Sequence, residues 1–186
     1  MSYSPSAITT YTPALTNVSN TTTETTFCSF VVPANTWLDG EVVTVRVGVL
    51  VKNNSGSRNS NSVKALVTGA SSVTVGSGGW DNSATEFEKV GTLELMRVGT
   101  LVFANARSGG TASESGLYTT NYAAWNYPTG MVSDTGVIGA NSMQMTPTSF
   151  ASDITVSLRI AMGAAHATQY IKPQGAICYK AQARFL

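Results

Sequence analysis

The stretch that decides the fold is residues 41–52, which read EVVTVRVGVLVK. Valine occupies every odd position from 43 to 51, and a two-residue period is the spacing at which one face of a β-strand repeats. The even positions mix apolar, polar and charged residues, so we expect the second face to be half exposed. These residues therefore predict a long strand that buries its valine face in the core of a sheet.

Similar but weaker patterns on either side of this stretch predict further strands, separated by turns rich in Gly, Ser and Asn. No segment sustains the helical period over ten residues. Within residues 85–106 the large apolar residues share one parity, and we expect them on one face, with a bend or bulge at Gly99: Phe87, Leu93, Leu95, Leu101 and Phe103. The chain is predicted to be an all-β, antiparallel β-sandwich of about eight or nine strands, most like a jelly roll. The candidate strands are 25–32, 41–52, 63–68, 73–75, 85–96, 98–106, 154–162, 170–171 and 176–185.

Four segments lie outside the predicted strands. Residues 1–24 are rich in Thr, Ser, Asn and Pro and are interpreted as an extended N-terminal arm that docks elsewhere, with a disordered end as the alternative. Residues 53–62 are predicted to be a polar loop tip and residues 76–79, GSGG, a turn. Residues 107–149 form a long irregular insertion in a single domain that spans 25–186.

Charge is scarce: only 11% of the 186 residues are charged and the net charge is +1. An ordinary soluble domain has roughly 25% charged residues. The few Lys and Arg are scattered singly, so we expect no nucleic-acid or anionic membrane partner. The longest apolar runs are too short to span a bilayer, and the N-terminus lacks the pattern of a secretory signal.

The two cysteines, Cys28 and Cys178, cannot form a disulfide framework. In a reducing cytosol we expect two buried thiols. Because the two residues lie in the first and last strong strand candidates, a bridge between the termini stays open as an alternative.

The residues needed for catalysis or metal binding are sparse. The sole histidine, His166, lies in a small-residue turn and is predicted to be a surface-loop side chain. The only close carboxylate pair within one predicted strand, Glu86 and Glu88, shares one sheet face, for which an exposed strand edge is the simple explanation. The GSGG segment lacks the Lys-Ser/Thr that completes a phosphate-binding loop. We therefore expect no enzyme activity, no cofactor and no metal.

Aromatic and aliphatic side chains in the arm and in the irregular insertion are the candidate interface residues. Amphipathic aromatics in a loop pack on the domain's own end, anchor a subunit interface or stack on sugar rings, and all three alternatives stay open for the insertion. The candidates are Tyr3, Ile8, Tyr11, Leu15, Tyr118, Tyr122, Trp125 and Tyr127.

Several short motifs resemble a domain that recurs in structural proteins of tailed phages. The family's run TNTTTET, its strand and turn F-x-IPANT and its strand DG-x-V-x-V all have counterparts here, whereas residues 107–149 depart from the pattern. The carrying segments are 16–27 (TNVSNTTTETTF), 30–36 (FVVPANT), 39–46 (DGEVVTVR), 53–56 (NNSG) and 152–158 (SDITVSL).

The resemblance implies a jelly-roll-like sandwich, often a trimer, found on phage heads as a decoration protein and in tail or fibre proteins. It carries over no catalytic residues. The first hypothesis is a capsid decoration (cement) protein, assembled in the host cytoplasm and located on the outer surface of the head. Its expected partners are the major capsid protein and further copies of itself as a homotrimer. The alternative hypothesis is a receptor- or glycan-binding tip of a tail or head fibre, with a host glycan as partner.

Overall fold

The computed structural model describes residues 8–80, 82–109 and 144–181. Every regular element in these ranges is a β-strand. Within the same residues there is no helix long and apolar enough to cross a membrane. The strands are β1 (Thr9–Tyr11), β2 (Ala14–Leu15), β3 (Val18–Ser19), β4 (Thr25–Val32), β5 (Val42–Asn53), β6 (Asn59–Val67), β7 (Val73–Trp80), β8 (Ser83–Val98), β9 (Leu101–Gly109), β10 (Gln144–Met145), β11 (Ile154–Met162) and β12 (Gln169–Ala181).

The strands form two antiparallel sheets. The larger sheet has the order β1-β12-β5-β8-β9-β10, with β3 also paired to β12, and the smaller sheet has the order β2-β4-β11-β6-β7. Among the described strands, the chain changes sheet at every step from β1 to β6 and again between β7 and β8, β10 and β11, and β11 and β12, which brings distant segments together. The predicted antiparallel β-sandwich is confirmed. In the described part of the chain, eight of the strands have eight or more residues and four have two or three.

The core lies between the two sheets. All five valines on the predicted buried face of β5 are at most 3% exposed, which confirms that face. β5 lies inside the larger sheet, between β12 and β8, and β11 lies inside the smaller one, between β4 and β6. The inner face of β11 contributes Ile154, Val156, Leu158, Ile160 and Met162. Burial of these branched side chains on facing sheets is the main term that holds the sandwich together.

Part of the predicted N-terminal arm pairs with both sheets of its own chain. β1 pairs with β12 at the edge of the larger sheet, β2 pairs with β4 at the edge of the smaller sheet, and β3 returns to β12. The arm therefore crosses one open side of the sandwich, and each sheet ends there in a strand of two or three residues, which offers little free edge to other strands.

The last part of the predicted loop at 53–62 and the whole predicted turn at 76–79 are strand instead, whereas residues 54–58 form a loop as predicted. β6 begins at Asn59 and β7 continues to Trp80, so residues 59–63 and 76–80 pair with each other in the smaller sheet. The polar sequence is accommodated because the buried Asn59 amide donates a 2.7 Å hydrogen bond to the side chain of Gln169. A buried amide that makes its hydrogen bonds inside the protein does not carry the desolvation cost of an unpaired polar group.

Candidate interaction surface

The sequence-predicted interface residues that the structure describes do not form one patch. Ile8 is 66% exposed directly before β1, and Leu15 is 38% exposed opposite Cys28. Tyr11 is half-buried, and its ring stacks on Phe30 with centroids 5.6 Å apart. Burial first, and the Glu41 carboxylate second, raise the pKa of Tyr11 above its ordinary value. Tyr3, Tyr118, Tyr122, Trp125 and Tyr127 lie outside the described residues.

The outer face of the larger sheet carries a contiguous apolar area beside the β8–β9 turn. The strand register places Val42 next to Ala181 on one side and Met96 on the other, and Met96 pairs with Phe103. Each of these residues is half-buried, whereas Val98 is 45% exposed. We call this area the apolar surface; it comprises Val42, Met96, Val98, Leu101, Phe103 and Ala181.

The alternation along the strands shows that the apolar surface is separate from the core. Val43, Leu95 and Val102 are fully buried and are the immediate neighbours of Val42, Met96 and Leu101 or Phe103 along their strands. Successive side chains point to opposite faces of a sheet, so the members of the apolar surface face away from the smaller sheet. A contiguous apolar area on a domain surface is typical of a protein contact site.

Sequence reasoning missed this surface because it placed Leu101 and Phe103 on the same face as Leu95. That prediction is wrong: Val98 pairs with Leu101 across a two-residue turn at Gly99 and Thr100. A chain reversal of this length pairs odd with even positions, so the buried parity changes from odd in β8 to even in β9. The signal that could have revealed it is Gly99, whose φ of 59° is the left-handed backbone typical of hairpin turns.

A buried ion pair anchors the loop that borders the apolar surface. Glu41, only 5% exposed, accepts a 2.6 Å hydrogen bond from the Leu38 backbone N–H and lies 2.8 Å from the Lys180 ammonium. The buried Trp37 indole donates to the Glu41 carbonyl. The Arg97 guanidinium also donates to the Trp37 carbonyl. These contacts tie the β4–β5 loop to β8 and β12, so the apolar surface rests on a rigid support.

The opposite end of the same outer face is polar. The Tyr170 hydroxyl donates to Glu86, and the Lys172 ammonium lies 3.2 Å from the same carboxylate oxygen. These two hydrogen bonds, the one from Tyr170 being the stronger influence, hold the pKa of Glu86 below its ordinary value. The hydrogen bond to Glu86 raises the pKa of Tyr170. One face of the larger sheet thus has a charged end and an apolar end.

A second surface feature lies at the end of the smaller sheet. A shallow open cleft of about 310 Å³ is lined by polar residues of β6, by apolar residues of β11 and by Gly163. Behind it, the Gln169 side chain accepts from Asn59 and donates 3.3 Å to Asn61. This amide cluster connects the two sheets. The lining residues are Ser60, Asn61, Ser62, Ala161, Met162 and Gly163.

The titratable groups that the structure describes include no group of three His, Cys, Asp or Glu side chains placed to hold a metal ion. His166 is exposed, as predicted, and its Nδ1 lies 2.9 Å from the Thr168 hydroxyl. Cys28 and Cys178 are free and buried, which confirms the expectation of two buried thiols.

Comparison with known proteins identifies little. No family model matches the chain, and no curated protein matches it. Among solved structures, it is similar to the "CBM2 module of Lactobacillus casei BL23 phage J-1 evolved Dit", with a TM-score of 0.36 and 9% identity over 99% of this chain and 82% of that chain. A likeness at this level carries no information about function.

Proposed function

We propose that this chain is a non-enzymatic structural protein of a phage particle, a capsid decoration (cement) protein that binds the major capsid protein on the outside of the head and stabilises it. The motif resemblance in residues 16–56 and 152–158 supports the phage origin, and the antiparallel sandwich is the fold that this resemblance implies. The observation that carries the proposal is the apolar surface.

The chemistry of the apolar surface favours a protein partner over a sugar. Its members offer aliphatic and aromatic carbon and no side-chain hydrogen-bond donor, whereas sugar recognition needs directed polar contacts. Burying such an area against another protein gains roughly 25 cal/mol per Å² of apolar surface removed from water. Repetition of the contact over a capsid lattice makes modest single contacts strong in sum.

Capsid binding is tested best with a matched pair of surface substitutions. Val98 and Val31 are 45% and 46% exposed, but Val98 belongs to the apolar surface and Val31 lies on the smaller sheet. We expect the wild-type chain and Val31→Lys to co-sediment saturably with undecorated heads, and Val98→Lys to bind at least about tenfold more weakly, because it buries an unpaired charge. Equal binding by both variants, or no binding by the wild type, would contradict the proposal.

The family resemblance also leads us to propose a homotrimer. Light scattering of the purified chain should then give three times the mass of one chain at micromolar concentration. A mass of one chain at every concentration measured, up to the highest at which the purified protein stays dissolved, would rule out the homotrimer.

The alternative is a receptor- or glycan-binding tip domain, for which the cleft is a candidate site because two serine hydroxyls and the Asn61 amide are among its lining groups. In that case the chain would not bind heads but would be retained on host cell-surface glycans. Retention should decrease in Ser62→Ala if the cleft is the site, and in Trp125→Ala if the insertion is the site. Retention of both variants at the wild-type level would exclude both sites.

A further inference from the structure

The two cysteines of the chain come from strands far apart in sequence and lie together inside the sandwich. Cys28 is on β4 of the smaller sheet and Cys178 is on β12 of the larger sheet, and each is 1% exposed. Cys28 pairs with Leu158 and Cys178 pairs with Val45, two core residues. Both thiols therefore point into the space between the sheets.

The two thiols face each other across the core. β4 and β12 approach one another at this side of the sandwich, and each thiol shifts the pKa of the other, which indicates that their side chains lie within interaction distance. Both thiols are free in the structure. Two facing thiols on separate elements at such a distance are the arrangement from which a disulfide can form with small adjustments of the side chains.

Access to this pair is governed by the N-terminal arm. Tyr11 of β1 pairs with Cys178, and Leu15 of β2 pairs with Cys28. β1 has three residues and β2 has two, so each is held by few backbone hydrogen bonds and opens more readily than a long central strand. We expect local opening of these short edge strands to expose the thiols without unfolding the sandwich.

We propose that Cys28 and Cys178 form a latent inter-sheet disulfide, which stays reduced in a reducing cytosol and closes when the folded protein meets a small-molecule disulfide outside the cell. One Sγ–Sγ bond forms and the S–S bond of the oxidant breaks. The two thiol protons and the two electrons from the cysteines pass to the oxidant, which leaves as two thiols. No other reactant is needed.

The bridge would tie the first long strand of the chain to the last. A cross-link between positions far apart in sequence removes conformational freedom mainly from the unfolded chain, so it stabilises the folded one. Interaction with Cys178, together with burial, raises the pKa of the Cys28 thiol above its ordinary value. The same interaction with Cys28 lowers the pKa of the Cys178 thiol. Cys178 is therefore expected to ionise first and to attack the oxidant, at a rate limited by opening of the arm.

The test is oxidation of the folded, reduced protein with oxidised glutathione at pH 8, followed by acid quenching, mass spectrometry and thermal melting. We expect a loss of two hydrogens per chain, no retained glutathione, and a melting temperature about 5 to 15 °C higher, reversed by dithiothreitol. Cys28→Ala and Cys178→Ala, treated in the same way, should show no increase in melting temperature.

Three results would overturn the inference, and each is read from the wild-type protein alone. They are persistence of both thiols after days in the oxidant, a stable glutathione adduct on one cysteine without a bridge, and an oxidised form that melts at or below the temperature of the reduced form. Failure of an alanine variant to fold would not affect these three readouts.

Discussion

Glu41 is the residue at which a change of one charge should be most damaging. Its carboxylate is buried, accepts the Leu38 N–H and pairs with Lys180, whose side chain is only 12% exposed. Glu41→Gln leaves the Lys180 ammonium buried without its counter-charge, and we expect a loss of about 3 kcal/mol of unfolding free energy in urea titrations. The control Glu88→Gln removes an exposed charge and should change stability by less than about 0.5 kcal/mol. Similar losses in the two variants would contradict the role given to Glu41.

Two glycines with the same backbone conformation allow steric and conformational costs to be separated. Gly69 and Gly56 have φ values of +82° and +88°. A Cβ on Gly69 would lie 1.7 Å from the Thr148 hydroxyl oxygen, whereas a Cβ on Gly56 would have no neighbouring atom of the described residues within 4 Å. We expect Gly56→Ala to cost about 1 kcal/mol, from the left-handed backbone alone, and Gly69→Ala about 2 to 4 kcal/mol. Urea unfolding measures both. Equal losses of unfolding free energy in the two variants would show that the β6–β7 turn and Thr148 move apart without a steric cost.

At the scale of elements, Glu24 connects three strands of the smaller sheet. It lies just before β4 and bonds to Lys64 of β6 at 2.6 Å and to Arg159 of β11 at 3.0 Å. Burial alone would raise the pKa of Glu24, but the hydrogen bonds from Lys64 and Arg159 outweigh it and hold that pKa below its ordinary value. The connection is therefore expected to depend on pH.

The sign of this dependence follows from the lowered pKa. A carboxyl group with a lower pKa in the folded chain stabilises it above the unfolded pKa, and this stabilisation is lost as the pH falls through the folded pKa. We expect the wild type to exceed Glu24→Gln by about 1 kcal/mol at pH 7, with the difference vanishing well below pH 4.5, the ordinary value. Urea titrations from pH 7 to 2.5 would measure it. A difference that stays constant over that range would exclude the ion pairs as its cause.

The hairpin of β8 and β9 shows how one short turn changes the surface of a whole sheet. The alternation within each strand is visible in the sequence, and the burial of Leu93 and Leu95 in β8 confirms it there. The two-residue reversal at Gly99 and Thr100 then turns the odd positions of β9 outward. Local periodicity cannot predict this, because the face that a residue occupies depends on the number of residues in the preceding turn.

At the scale of the whole molecule, the N-terminal segment acts as part of the sandwich. Deleting residues 1–12 removes β1, including Tyr11, which stacks on Phe30 and pairs with Cys178. We expect this variant to lose about 2 to 4 kcal/mol of unfolding free energy and its thiols to react at least about tenfold faster with a thiol reagent under native conditions. Deletion of residues 1–7, which leaves β1 intact, is the control. Identical thiol reactivity in the two deletions would show that β1 does not cover the cysteines.

The sequence by itself determined the all-β class, the antiparallel sandwich and the buried valine face of residues 41–52. It could do so because the two-residue period of a strand, and the absence of a sustained helical period, are visible within a short stretch of chain. Only the tertiary structure decided that residues 59–62 and 76–79 are strand, that Leu101 and Phe103 face outward in an apolar surface, and that Cys28 meets Cys178. The physical reason is that these features depend on pairing between strands distant in the chain. Pairing supplies buried amides with hydrogen-bond partners and brings together residues that no local pattern connects. The length of each turn decides which side chains of the next strand face the core.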